Sequence, residues 1–260
     1  MTTSTRRLLA FSIVASVIVA SALFASTRVS DQSDAKDDRS ALKMNQSGET
    51  YGSALFSPEE PDLVAAVATN GLEGYVRRAD LEGPVPASPE EALASQEDLP
   101  TSIPVYKEDG ETTIGEFMIY KNDLTYFTVN TPQIVPYGKA YGNTKYFTVN
   151  GRQYLTQAHV HAVVGYGHVQ SRVKVGATSG SSLPAGHFGV FARLFNSAGR
   201  LVVSSGYKYT SSPCISVEMP ASYNTSSGSY YADGYVRVWN TSTSSYSTQY
   251  TPQSPMQTMS

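Results

Sequence analysis

All four histidines of the chain fall between 159 and 187, at His159, His161, His168 and His187. On a strand His159 and His161 project to one face, and two imidazoles with a third ligand can hold zinc or copper. No Asp or Glu occurs from Leu124 through Val217, the next being Glu218. The histidine pair therefore has no carboxylate nearby in sequence to orient an imidazole or to act as a base. A structural or surface role is the expected one, with a metal-dependent secreted enzyme at His159 and His161 as the alternative, and no cofactor is expected. Cys214, the single cysteine, is followed by Ile215 and Val217 and has the profile of a small buried apolar residue rather than a nucleophile. It also excludes an internal disulfide framework. Glu218 with Asp233 is the carboxylate pair that glycosidase chemistry would use in this half of the chain. Its many serines include no Gly-x-Ser-x-Gly elbow.

The cationic and aromatic side chains carry more pattern. In Gly234 to Trp239 the positions Gly234, Val236 and Val238 alternate with Tyr235, Arg237 and Trp239, so the valines are expected on the core and the Tyr-Arg-Trp row on the other side. Val169, Val173 and Val175 alternate likewise with His168, Gln170, Arg172 and Lys174. Arginine beside aromatic rings suits carbohydrate stacking, cation–π contact or polyanion binding. Arg172, Lys174, Arg193, Tyr235, Arg237 and Trp239 are accordingly the expected ligand-binding residues. The bland reading of the same pattern is a half-exposed sheet covered by long amphipathic side chains.

Charge divides the chain. Thr27 to Asn122 holds 19 acidic and 8 basic residues, a net −11, whereas Asp123 to Ser260 holds 3 acidic and 9 basic, a net +6. Such a split implies separate domains, a polyanionic partner, or one half docking on the other. Charged residues are 16 % of the whole against about 25 % in an average soluble domain, which argues against coiled coils and long charged helices.

The elements that must position these residues follow from local patterns. Arg6 and Arg7 precede an uncharged run from Leu8 to Ala25 that ends in small residues, so 1–26 is expected to be a signal peptide, or a membrane anchor if uncleaved. Thr5-Arg6-Arg7 also allows a twin-arginine signal. Residues 27–46 lack an apolar period and read as a disordered tether. From 47 to 121 a small acidic α+β module is expected, with a hairpin around Asn70-Gly71, a helix opened by Ser88-Pro89-Glu90-Glu91 and a second hairpin around Asp109-Gly110. From 122 to 260 strand follows strand, with a hairpin at Asn150-Gly151 and the string Tyr-Phe-Thr-Val-Asn at both 126–130 and 146–150. The fold class is thus mainly β, a C-terminal antiparallel, basic, Tyr-rich β-sandwich preceded by the α+β module.

A resemblance adds to this. Thr50-Tyr51-Gly52, Pro61-Asp62-Leu63, Gly74-Tyr75-Val76, Asp80-Leu81, Pro89-Glu90-Glu91-Ala92 and the run Ile103-Pro104-Val105-Tyr106 to Ile114-Gly115-Glu116-Phe117 resemble a short extracellular module of Gram-positive bacterial surface proteins. Such modules form the outer parts of beta-lactam-sensor-like membrane metallopeptidases. The peptidase motif His-Glu-x-x-His is absent, and the resemblance implies no catalytic residue. Ser182-Leu183-Pro184-Ala185-Gly186 and Ala192-Arg193-Leu194-Phe195-Asn196-Ser197-Ala198-Gly199 are similar to secreted actinobacterial β-domains, again without an implied activity. Together these readings lead to the expectation of an exported, non-catalytic cell-envelope binding or structural protein, secreted or at the cell surface, that contacts anionic wall polymer or glycan. An effector or adhesin that binds a protein on another cell is a further alternative. A net +6 on an exported domain makes nucleic acid an unsuitable partner, and membrane contact is expected only through an uncleaved N-terminal segment.

Overall fold

The computed structural model describes residues 41–96, 100–120, 122–127, 138–163 and 167–259. The expected signal or anchor, and the tether up to residue 40, lie outside the described residues. Among the described residues no helix is long and apolar enough to cross a membrane.

The chain is mainly β, a sandwich of two sheets preceded by a small α+β module. The N-terminal part runs β1 (Lys43–Met44), β2 (Thr50–Gly52), β3 (Leu63–Val67), β4 (Glu73–Arg77), α1 (Arg78–Glu82), α2 (Pro89–Ala94), β5 (Ser102–Tyr106) and β6 (Thr113–Met118). There follow β7 (Thr125–Phe127), β8 (Lys139–Tyr141), β9 (Lys145–Val149), β10 (Arg152–Val163), β11 (His168–Ala177) and β12 (Phe188–Asn196). The remaining strands are β13 (Leu201–Tyr209), β14 (Ser216–Asn224), β15 (Gly228–Asn240), β16 (Ser245–Thr251) and β17 (Gln257–Met259). Lys43 and Met44 pair with Tyr51 and Thr50, so the last residues assigned to the tether already belong to a hairpin.

Local chemistry explains the turns. Asn150 and Gly151 both take positive φ, 51° and 72°, between the paired Val149 and Arg152, as a two-residue type I′ hairpin requires. At Asn70-Gly71 only the glycine has positive φ. The turn there is longer, joining Val67 to Glu73, and Asn70 holds it by accepting from the Leu72 amide and donating to the Ile114 carbonyl. Ser88 caps α2 by accepting from the Glu91 amide. The Glu91 carboxylate reaches back to the Ala87 amide at 2.9 Å, one residue beyond the reciprocal bond of a standard capping box.

Sheet 1 runs β16-β15-β12-β13-β3-β4-β5-β6, and sheet 2 runs β7-β14-β11-β10-β8, with β9 also on β10. Within the sandwich region the pairings are antiparallel; β3 joins β13 in parallel, Leu201 opposite Ala66. Residues on both sides of the expected boundary at 121/122 therefore share one sheet. They also share a core. The period-2 alternation sends Phe188, Val190, Ala192 and Leu194 of β12 and Ala232, Val236 and Val238 of β15 onto Val160, Val169, Val173 and Met219 of sheet 2. Gly234 marks how closely the sheets approach, since a Cβ there would stand 2.9 Å from Val173 Cγ2 and 2.0 Å from the Phe191 carbonyl oxygen.

The opposite face of sheet 1 is buried as well. Phe191, Phe195, Tyr207, Tyr209 and Tyr246 pack against Leu55, Leu81 and Ala92 of the N-terminal module. A strand covered on both sides needs apolar residues at nearly every position, and Phe188–Asn196 reads that way apart from Arg193. That arginine is 1 % exposed. Its Nε and Nη2 donate to the Asp233 carboxylate at 2.8 and 2.9 Å, Nη1 pairs with Glu60, and its guanidinium lies 5.0 Å from the Tyr235 ring centre. Tyr235 in turn donates to Glu60 at 2.7 Å.

Removing one partner of a buried ion pair strands the other charge, at a cost of about 3–5 kcal/mol. Arg193→Ala is expected to lower the unfolding free energy by that amount in chemical denaturation. Arg200→Ala, whose partner Glu73 is half exposed, should cost under about 1 kcal/mol. Equal effects of the two would show that the buried cluster is not what ties the module to the sandwich.

Candidate functional site

The six residues expected to bind ligand divide between two places. Arg193 and Arg237 are each 1 % exposed and Tyr235 and Trp239 are half-buried, all on the face of sheet 1 that the N-terminal module covers. The alternation in β15 is as expected, but the Tyr-Arg-Trp row is not an outer face. Arg237 donates to the Tyr209 hydroxyl at 2.7 Å and lies 3.6 Å from the Tyr207 ring centre. Trp239 meets Tyr246 edge to face, ring centres 5.1 Å apart. These side chains serve the interior, so a polymer at the surface does not reach the two arginines.

Arg172 and Lys174 are on the outer face of sheet 2, and the register explains their company. β10 sets His159 opposite Arg172 and Gln157 opposite Lys174, β14 sets Glu218 opposite Lys174, and β8 brings Lys139 opposite His161 and Tyr141 opposite His159. The face thus carries Lys139, Arg172 and Lys174 with His159 and His161, together with the Glu218 carboxylate. Arg172 Nη1 donates to Glu218 Oε2 at 2.8 Å and its Nε to Gln170 Oε1 at 3.0 Å. Glu218 Oε1 stands 3.6 Å from His159 Nδ1, and the Tyr141 ring stacks on that imidazole, centres 4.5 Å apart.

Sequence distance hid Glu218 from the histidines, because 59 positions separate residues that are two strands apart in the sheet. Glu218 does not face Asp233; the first belongs to sheet 2 with Arg172, the second to sheet 1 with Arg193, so the two do not form an acid–base pair. Lys139 and Tyr141 were illegible too, since β8 has three residues and no alternation to mark it. Cys214 is buried, and burial pushes its thiol up to about 11, away from the thiolate a nucleophile needs.

Electrostatics on this face disfavour charge on the histidines. Burial first, then Lys139 and Arg172, depress His159 to about 3 and His161 to about 4. His159 is neutral at pH 7, so its contact with Glu218 is a polar one, whereas Arg172 and Glu218 form an ion pair. His159 Nε2, His161 Nδ1 and the Tyr141 hydroxyl are buried without a hydrogen-bond partner among the described residues. Among the same residues no group of three or more His, Cys, Asp or Glu is placed to hold a metal ion, and three nearby cations would repel one.

Comparison of the chain with protein-family models, with curated proteins and with solved structures finds no match to any of them.

The histidines make stability depend on pH in a definite direction. An unfolded histidine takes a proton below about 6.5, whereas folded His159 does not until about 3. As pH falls below 6.5 the unfolded state therefore binds more protons, and stability is lost at up to about 1.4 kcal/mol per pH unit from this group. Denaturation midpoints are expected to fall between pH 6.5 and 4.5, and His159→Gln should flatten that slope. A slope unchanged by the substitution would place its source elsewhere.

Proposed function

We propose that the chain is an exported, non-catalytic cell-envelope protein that holds an anionic wall polymer or glycan against the outer face of sheet 2. The observation that supports this reading is the composition of that face: Lys139, Arg172 and Lys174 brought together by the β8-β10-β11 register, with the Glu218 carboxylate beside them on β14. Half-buried cations on a rigid sheet lose little freedom on binding, and a repeating polyanion satisfies several at once. Export rests on the N-terminal pattern of Arg6, Arg7 and the apolar run that follows, and the envelope setting on the motifs shared with surface-protein modules.

The buried positions of Arg193 and Arg237 change which substitutions test the reading. Single exposed ion pairs contribute about 0–1 kcal/mol, so one replacement does little. The double variant Lys139→Glu with Lys174→Glu is expected to reduce co-sedimentation with isolated cell walls about tenfold, close to the sum of two such pairs. Binding should weaken as salt rises from about 0.05 to 0.5 M, where the screening length shrinks through about 10 Å. Walls stripped of anionic polymer should no longer retain the protein. Retention that ignores the double variant, the salt and the stripping would overturn the proposal.

A further inference from the structure

Sheet 1 ends on β16, and the bonds of β15 decide which backbone groups of β16 point outward. The Trp239 amide donates to the His187 carbonyl at 2.9 Å, toward β12. Ala232 turns the other way, its carbonyl accepting from the Ser254 amide at 2.8 Å. Antiparallel pairs alternate between bonded and unbonded, and the β15–β16 register runs without a shift. Val236, Val238 and Asn240 therefore bond to Gln249, Ser247 and Ser245, while Tyr246, Thr248 and Tyr250 direct their N–H and C=O groups to the outer edge. On that edge Lys145 Nζ donates to the Tyr250 carbonyl at 3.2 Å, and no strand among the described residues pairs with it.

Open sheet edges are ordinarily blunted by charge, proline, a bulge or shortness. The opposite end of sheet 1 is treated so: on β6 the Glu116 carbonyl accepts from the Thr69 amide at 2.8 Å, and Asn70 donates to the Ile114 carbonyl at 2.9 Å. In sheet 2, β7 and β8 have three residues each. β16 runs seven residues, Ser-Tyr-Ser-Thr-Gln-Tyr-Thr, with no charge, proline or register shift. Exposed aromatic surface lies beside it. Tyr250 is 37 % exposed, and Tyr146, the chain neighbour of Lys145, is 59 % exposed. An edge of this kind is a template for another strand.

The residues of the edge favour a second copy of the chain as that strand. Antiparallel pairing about Thr248 sets Thr248 against itself, and Tyr246 against Tyr250 of the other copy on both sides of the two-fold axis. These are the same residues whose backbone groups face outward, so each pair can exchange both of its N–H···O bonds. The Tyr250 carbonyl oxygen has two lone pairs and can keep Lys145 as well. Tyrosines directly opposite one another add to the pairing, and a strand without charge brings no like charges together when it meets itself.

We propose that β16 is a self-recognising edge through which two copies of the chain join their first sheets into one continuous sheet. A contact between two seven-residue strands is at the small end of specific interfaces, below about 1,200 Å². The dimer is accordingly weak, with Kd on the order of 10–100 μM. Lys139, Arg172 and Lys174 are not part of this edge, so the dimer and the polyanion proposal stand or fall separately.

The test is sedimentation velocity of the full chain from about 1 μM to about 1 mM, a range that brackets the expected Kd. A concentration-dependent monomer–dimer equilibrium is expected. Thr248→Pro should abolish it, because the amide it removes faces the open edge, where a strand tolerates proline. Thr248→Lys, at an exposed side chain, should weaken it about tenfold by setting two cations opposite each other, and it carries the test if the proline variant melts lower than the parent. Thr248→Cys should form an intermolecular disulfide on mild oxidation, because Cα atoms in a bonded pair are about 5.5 Å apart; the native Cys214 is buried. Ser245→Cys should not, since it would lie about 20 Å from its counterpart. The proposal is overturned by a chain that stays monomeric up to about 1 mM, which would leave the edge to strand addition by another protein. Association that both Thr248→Pro and Thr248→Lys leave unchanged, or equal cross-linking at 245 and 248, would overturn it too.

Discussion

Arg193 stands on the middle of sheet 1 with almost no exposure, and its charge must be balanced from within the protein. Asp233 on the neighbouring β15 meets two of its nitrogens, and Glu60 arrives from the N-terminal module to meet the third. Tyr235 and Tyr250 donate to these carboxylates, so the lone pairs left over are also engaged. The cluster fixes which part of the module lies over which part of the sheet, because an arginine fork accepts only a narrow range of carboxylate geometry. The parallel pairing of β3 with β13 and the docking of Ser53 on the Gly199 carbonyl at 2.6 Å then have a defined register to extend.

The division of charge along the chain takes on meaning in this light. Part of the basic excess of residues 123–260 is spent internally: Arg193 on Glu60 and Arg200 on Glu73 are cations of one half paired with carboxylates of the other. Of the three outcomes that a charge-divided sequence allows, docking of one half on the other is present in the fold. Lys139, Arg172 and Lys174 stand apart from these pairs, on the outer face of sheet 2.

How much of this was legible depends on what a period of two can say. Alternation in Gly234–Trp239 and His168–Val175 separates two faces of a strand, and both separations are seen in the structure. It does not say what covers a face, so Arg237 read as a surface cation although the N-terminal module lies over it. Phe188–Asn196 held the missing signal, since a strand apolar on both sides implies cover on both sides. The turn at Asn150-Gly151 was fully specified by residue type, because few residues accept two successive positive φ angles. The proximity of Glu218 to His159 was not, for it depends on two successive strand registers, and a one-residue slip in either would send one of the side chains to the opposite face.

The neutrality of His159 follows from the same geometry and bears on what the outer face can bind. Lys139, Arg172 and Lys174 surround an imidazole that burial already disfavours as a cation, so His159 adds no positive charge to the face at pH 7. Were the histidines charged, attraction for an anion would rise as pH fell toward 6; with His159 held down to about 3 and His161 to about 4, they supply no such rise. Glu218 tempers that field by pairing with Arg172. A face built this way presents charge density more than shape, because its cations lie along flat, paired strands while its imidazoles stay neutral.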